Sequence, residues 1–110
     1  MAATIGGRPG RSHYAASKAA VDAFTVGLAK EVATEGIRVN CLRPGITMTE
    51  ITTDYAKEHP DYLDWVLEQV PLGRPAEVHE IARAAMFLLS EDSSYSTGAI
   101  LDACGGWVSP

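Results

Sequence analysis

A tyrosine and a lysine four residues apart form the most informative pair in this 110-residue sequence. They are the first and last residues of the segment Tyr14-Ala15-Ala16-Ser17-Lys18. On a helix, positions i and i+4 lie on one face, so the phenol and the ammonium come together at its first turn. The ammonium stabilises the phenolate, and the positive end of the helix adds to this effect. The pair therefore predicts a group that donates and accepts a proton near neutral pH.

The spacing alone also fits a surface tyrosine beside a solvated lysine. His13 adjoins Tyr14 but points about 100° away around the helix, which argues against a catalytic role. Ser12 is predicted to be the helix cap. His59 and His79 have acidic neighbours on predicted helices and are expected to be solvated. No spacing typical of metal ligands is present, so we expect no metal site.

The pair needs a helix, and residues 12–35 predict one, with Ser12 as its N-cap and Gly36 as its left-handed stop. One face is predicted to carry Tyr14, Lys18, Val21, Thr25, Leu28 and Val32. A second face has only small residues, namely Ala16, Ala19, Ala20, Ala23 and Gly27. A helix that is apolar on two sides must be covered on two sides, so we expect a sheet on one and a partner helix on the other.

The remaining elements follow from periodicity and from the positions of proline and glycine. The sequence predicts a strand at residues 37–43, ended by Pro44, and a helical segment at 50–69, interrupted at Pro60. It then predicts a helix with Pro75 as its first residue, ending near Ser90, and a strand at residues 99–101. Helices between two strands are typical of a parallel crossover, which is right-handed. The order predicts an α/β fold.

Composition excludes several classes of protein. The chain has 46% hydrophobic residues and a formal charge of −5, from 9 basic and 14 acidic residues. Disorder, nucleic-acid binding and binding to acidic membranes are therefore disfavoured. No run approaches the roughly 20 apolar residues of a membrane span, and the neutral, glycine-rich start does not resemble a signal peptide. Cys41 and Cys104 are expected to be free thiols in a reducing cytoplasm.

Further motifs continue the pattern around Tyr14 and Lys18. They are Gly36-Ile37-Arg38-Val39-Asn40, Arg43-Pro44-Gly45, Gly73-Arg74-Pro75, Thr97-Gly98 and Gly105-Gly106. In order and spacing, most of the chain resembles the C-terminal half of the classical short-chain dehydrogenase/reductase family. The resemblance implies that residues 1–110 form a single partial NAD(P)-binding Rossmann-like domain, part of a doubly wound parallel sheet. Residues 46–72 would be the variable substrate-binding lobe within it.

The resemblance also implies roles for individual residues. Tyr14 matches the catalytic tyrosine, and Lys18 matches the lysine that bonds the nicotinamide ribose. The cofactor-binding residues that it implies are Tyr14, Lys18, Pro44, Gly45, Ile46, Thr47 and Thr49. The implied activity is the NAD- or NADP-dependent interconversion of a small-molecule alcohol and a carbonyl. The implied assembly is a homodimer or homotetramer, to which the small helix face and Trp107 would contribute.

Several features of the family have no counterpart here, including the asparagine of its fourth strand and its acidic or basic cofactor selector. The glycine-rich cofactor turn is missing, because no strand precedes the glycines at positions 6, 7 and 10. The family's catalytic serine would fall at or just before Met1. We therefore expect that the reading frame continues upstream of Met1, and that the 110-residue chain alone is inactive. The alternative is a non-catalytic remnant that at most associates with homologous subunits.

Overall fold

The longest element of the protein is a helix near its start. The computed structural model describes residues 9–107, and in it α1 spans Ser12–Val32 and continues as a 3-10 turn at Ala33–Glu35. Gly36 ends the helix at φ 75°, a left-handed conformation that suits glycine. The predicted extent of this helix and its stop are therefore confirmed.

The start of α1 differs from the prediction in one respect. Arg11 occupies the N-cap position, and its carbonyl accepts from the Ala15 N–H at 3.0 Å. Ser12 is thus already inside the first turn, and no side chain caps this end. The prediction of Ser12 as the N-cap was wrong because the first backbone hydrogen bond forms one residue earlier.

Two short strands form a parallel pair. Strand β1 spans Cys41–Pro44 and β2 spans Ile100–Ala103, with Cys41 opposite Ile100 and Pro44 opposite Ala103. This arrangement confirms the predicted α/β class and the parallel crossover.

The strand boundaries were predicted less well, since residues 37–40 and 99 lie outside the ladder. The Val39 N–H donates to Thr97 Oγ1, and its carbonyl accepts from the Gly98 N–H at 2.7 Å. The side chain of Asn40 bonds the backbone of Ser96 and Ala99. Residues 39–40 therefore bond to the turn before β2 instead of extending the strand.

Two helices follow β1 and form a hairpin. Helix α2 spans Glu50–Glu58 and α3 spans Pro60–Gln69, with His59 between them at φ −131° and ψ 78°. A proline disfavours the helical conformation in the residue before it, which explains the break. The predicted interruption at Pro60 is confirmed.

Helix α4 spans Val78–Leu89 and so begins later than predicted. Its N-cap is Glu77, which forms a reciprocal capping box with Glu80. The prediction of Pro75 as the first helical residue was wrong, because the capping box fixes the helix start three residues further on. The predicted end near Ser90 is confirmed.

Apart from Ser93, which is buried in the 3-10 turn Glu91–Ser93, the buried residues form two small groups. On α1 they are Ala15, Thr25 and Ala29, and around α3 and the end of β2 they are Val66, Val70 and Cys104. Both α1 and α4 contact β1. The small residues that were predicted to share a face are exposed, except Gly27, which is half-buried. Trp107 is half-buried and meets Trp65 edge to face, with ring centroids 6.4 Å apart.

Cys41 and Cys104 are both free thiols, as predicted. Within residues 9–107, no helix has the combined length and hydropathy that a membrane crossing needs. The segment predicted to hold the family's serine, at Met1, lies outside the described residues.

Candidate active site

Tyr14 and Lys18 lie together on the exposed side of the first turns of α1. The Lys18 ammonium lies 5.3 Å from the centroid of the Tyr14 ring, within the range of a cation–π contact. Tyr14 is 47% exposed. The i, i+4 pairing expected from the sequence is therefore present, and the Tyr14 side chain is partly open to solvent in the described residues.

An ion pair joins α1 to β1 one turn beyond Lys18. The Arg43 guanidinium donates to both oxygens of Asp22, with Nη2–Oδ2 at 2.7 Å and Nε–Oδ1 at 3.2 Å. Their side chains are only 18% and 13% exposed. This guanidinium lowers the pKa of the Asp22 carboxyl below its ordinary value. Arg43 also reaches Asp102 on β2, at 3.4 Å.

The thiol of Cys41 completes this cluster. Its Sγ lies 3.6 Å from Asp22 Oδ1 and can donate to it. Burial raises the pKa of the Cys41 thiol, and the neighbouring carboxylate raises it further. Cys41 is therefore a protonated donor to Asp22 at neutral pH and not a reactive nucleophile.

These contacts fix the direction of α1 relative to the sheet. Ala29 and Val26 lie against Gly98, which precedes β2, whereas Asp22 bonds Arg43 near the end of β1. The helix therefore runs antiparallel to the strands. At 1.5 Å per residue, Lys18 and Tyr14 lie about 6 and 12 Å further along the axis than Asp22. They project towards the carboxyl ends of the strands, the edge at which open parallel sheets bind ligands.

The loop after β1 leaves the sheet at the same edge. The Gly45 N–H donates to the Ala103 carbonyl at 2.9 Å. A Cβ at this position would lie 2.7 Å from the Cys104 Cα, closer than side chains approach. Only glycine lets the loop pass this close to the end of β2, so Gly45 sets the direction in which residues 46–49 leave the sheet.

Residues 46–48 form a short parallel bridge with Ala76. The Ala76 N–H donates to the Ile46 carbonyl, and the Met48 N–H donates to the Ala76 carbonyl, both at 2.9 Å. One edge of the loop is thus paired, and the N–H of Thr47 faces the opposite edge. The Thr47 hydroxyl donates to the Gly45 carbonyl at 3.2 Å. The loop that was predicted to bind the cofactor is therefore held by backbone and side-chain hydrogen bonds.

Thr49 has a structural role that the sequence reasoning missed. It is the N-cap of α2, and its hydroxyl accepts from the Thr52 N–H at 3.3 Å. The signal was available, since a threonine directly before a helix is a common cap. Its predicted bond to the cofactor stays a prediction.

Segment 74–77, which pairs with this loop, is held by a forked ion pair. Arg74 binds both carboxylate oxygens of Glu80, at 2.7 and 2.8 Å, and Glu80 also accepts from the Glu77 N–H. These donors lower the pKa of Glu80 to about 2. The Arg74–Glu80 ion pair was not predicted from the sequence, because it joins a loop residue to a residue of α4, the next helix.

Two cavities lie near the α2–α3 hairpin. One, of about 460 Å³, lies between the loops and the end of β2, and its lining includes Ile46, Val70, Ala76, Ile81 and Cys104. The other, of about 610 Å³, lies at the turn between the two helices, and its lining includes Tyr55, Glu58, His59, Tyr62 and Trp65. Neither of these cavities is lined by Tyr14 or Lys18. These two residues lie on an open face of the described chain.

His59 and His79 are exposed, as predicted. His13 and the acidic residues Asp54, Glu58, Asp61 and Asp64 are exposed as well. His59 nevertheless has partners, because its ring stacks on Tyr55 at 4.1 Å and its Nδ1 lies 3.1 Å from the Tyr55 carbonyl. Across residues 9–107, no group of three or more His, Cys, Asp or Glu side chains could hold a metal ion.

Comparison with known proteins finds matches over most of the length of the chain. A protein-family model described as enoyl-(acyl carrier protein) reductase matches residues 1–108. The 3-oxoacyl-[acyl-carrier-protein] reductase of Chlamydia trachomatis is 48% identical over 102 residues, which are 91% of this chain and 39% of that protein.

Solved structures show the same likeness. A glucose/ribitol-type short-chain dehydrogenase/reductase from Brucella melitensis matches 100% of this chain and 43% of its own, with 34% identity and a TM-score of 0.86. A candidate 2-deoxy-d-gluconate 3-dehydrogenase from Agrobacterium tumefaciens, solved with bound NADP, matches 87% of this chain and 39% of its own, with 38% identity and a TM-score of 0.80.

The fold is part of a Rossmann-like α/β domain, with the Tyr14–Lys18 pair at the carboxyl edge of its parallel strands. The chain belongs to the short-chain dehydrogenase/reductase family. It spans about 40% of the length of the relatives it matches.

Proposed function

We propose that this chain provides the proton-transfer half of an NAD(P)-dependent oxidoreductase that interconverts a small-molecule alcohol and a carbonyl. The observation that carries the proposal is the contact of Lys18 with the Tyr14 ring, at the carboxyl edge of the sheet beside the loop at residues 45–49. The cofactor, when bound, would supply the hydride as NADH or NADPH in the reducing direction and accept it as NAD or NADP in the oxidising direction. The structure of the similar protein from Agrobacterium tumefaciens was solved with bound NADP.

Tyr14 is the general acid/base of the proposed reaction. In the reducing direction its hydroxyl donates a proton to the substrate oxygen, and in the oxidising direction the phenolate accepts it. The adjacent ammonium of Lys18 stabilises the charge that develops on the phenol oxygen. Tyr14 is exposed enough to contact a substrate directly.

The loop residues fit the nicotinamide end of the cofactor. Gly45 brings the chain against the end of β2, and the bridge to Ala76 leaves the Thr47 N–H as a fixed donor on the open edge. Pro44, Gly45, Ile46, Thr47 and Thr49 would hold the carboxamide side of the cofactor, and Lys18 would bond the ribose. A glycine-rich turn for the pyrophosphate is not among these residues, so the 110-residue chain alone is proposed to be inactive.

The α2–α3 hairpin, within residues 46–72, is the proposed substrate lobe. It begins at the Thr49 cap, directly after the cofactor loop, so a substrate held by it would lie close to the reacting carbon. Ile51, on its first turn, is 83% exposed and offers apolar contact area.

The proposed assembly is a homodimer or homotetramer in the cytoplasm. The four alanines of the small-residue face of α1 are exposed, and Phe24 on the same helix is 66% exposed, which fits a close helix–helix contact between subunits.

A chimera tests the proposed function. The N-terminal portion of the Chlamydia trachomatis reductase is joined before residue 9, so that the chimera has the length of a complete relative. We expect oxidation of NADH or NADPH with 3-oxoacyl thioesters or simple ketones. The 110-residue chain is the control, and it is expected to give neither turnover nor enhanced nicotinamide fluorescence at micromolar cofactor. A chimera that binds cofactor but turns over no carbonyl substrate would favour the non-catalytic alternative.

A further inference from the structure

Asp22 places a largely buried carboxylate one helical turn after Lys18. Tyr14, Lys18 and Asp22 follow one another at intervals of four residues and so share one side of α1. The Asp22 side chain is 13% exposed, and a carboxylate this buried needs a cationic partner. Helical spacing puts Lys18 within reach of Asp22, and the sheet puts Arg43 within reach of it. Two cations therefore compete for one carboxylate.

Asp22 pairs with Arg43 and not with Lys18. Its planar fork binds both oxygens of Asp22, which a single ammonium matches less well. Among residues 9–107, the ion pairs include Asp22 with Arg43 but not Asp22 with Lys18. The Lys18 ammonium lies instead over the Tyr14 ring. Asp102, the second carboxylate near Arg43, is 31% exposed. Water can solvate its charge, so it needs a cationic partner less than Asp22 does.

We propose that Arg43 is a positioning residue that keeps Lys18 beside Tyr14 by occupying Asp22. Without the guanidinium, Asp22 takes the ammonium of Lys18, which moves one turn along the helix and away from the phenol. The inference rests on the proposed roles of Tyr14 and Lys18 and adds the device that holds Lys18 in place. The Asp22–Arg43 ion pair would then have two separate functions. It joins α1 to β1, and it keeps the Lys18 ammonium away from Asp22.

The test reads the position of Lys18 by proton NMR of the intact protein. Protons held over an aromatic ring resonate upfield, so the ε-methylene protons of Lys18 report its contact with Tyr14, and Tyr14→Leu gives the reference without a ring. We expect Arg43→Gln to lose most of this upfield shift. The double variant Asp22→Asn/Arg43→Gln should regain it, because no carboxylate is left to capture Lys18. The matched control is Arg74→Gln, which breaks a similar fork with Glu80 and should leave the shift unchanged.

Circular dichroism checks that each variant is folded. If Arg43→Gln does not fold, Arg43→Lys replaces it as the test. Lysine keeps the positive charge but cannot bind both oxygens of Asp22 with a planar group, so part of the upfield shift of Lys18 should be lost. An unchanged Lys18 shift in the folded Arg43 variant overturns the proposal. A loss that the double variant does not regain also overturns it, because it would mark a general loosening of α1. The readout involves neither cofactor nor turnover, so a failed reductase assay leaves this result interpretable.

Discussion

Gly45→Ala tests whether the loop at residues 46–49 depends on the close approach of Gly45 to Cys104. The added Cβ would lie 2.7 Å from the Cys104 Cα and 3.1 Å from its carbonyl carbon. Both are backbone atoms and cannot rotate away. Ordinary contact between carbon atoms needs about 3.5 Å, so the two segments must separate by roughly 0.8 Å. The 2.9 Å hydrogen bond from the Gly45 N–H to Ala103 would then be lost.

The expected cost combines two effects. Overpacking costs about 1–3 kcal/mol, and the lost hydrogen bond costs about 1 kcal/mol more. Gly27→Ala is the matched control, because its Cβ meets nothing within 4 Å and the position is inside α1. Alanine there should stabilise the protein by about 0.5–1 kcal/mol. Urea unfolding followed by circular dichroism measures both. If Gly45→Ala is as stable as the wild type, the close approach does not constrain the loop.

Three further predictions concern the ion-pair cluster and the helix face. The pKa of Asp22 is lowered in the folded state. The wild type should therefore be more stable than Asp22→Asn at pH 7, and this difference in unfolding free energy should shrink as the pH falls below about 4. A difference that does not depend on pH would contradict this. Because the pKa of Cys41 is raised, iodoacetamide at pH 8 should alkylate it more slowly in the folded protein than in urea, and equal rates by peptide mass spectrometry would contradict the burial argument. Ala23→Arg should dissociate the oligomer of the chimera, as measured by light scattering, since a long charged side chain would enter a close helix contact; a monomeric parent chimera would refute the proposed interface.

Features that depend on neighbours in the sequence were predictable. The pairing of Tyr14 with Lys18 follows from helical spacing alone, and the break between α2 and α3 follows from Pro60. Gly36 ends α1 because the left-handed conformation there suits glycine. Each of these features rests on interactions within about one turn of chain.

Features that depend on distant segments were not predictable in the same way. The start of β1 is set by bonds from Val39 and Asn40 to residues 96–99, almost sixty positions away. The partner of Asp22 is Arg43, which the fold brings across from the strand. The bridge to Ala76 likewise requires the whole α2–α3 hairpin to return the chain to residues 46–48. Alternation and propensity carry no information about such pairings, so the sequence predicted the contact of Tyr14 with Lys18 but not the contacts that surround it.

The most direct test of the central claim is the turnover of Tyr14→Phe in the chimera. Phenylalanine keeps the ring beneath Lys18 and removes only the hydroxyl that is proposed to transfer the proton. Turnover is followed by nicotinamide absorbance, and cofactor binding by nicotinamide fluorescence. The account predicts that kcat falls below about a tenth of the parent value while the Kd for the cofactor stays nearly unchanged. A variant that keeps more than about a tenth of the parent kcat would contradict the account, since proton transfer would then not depend on this phenol.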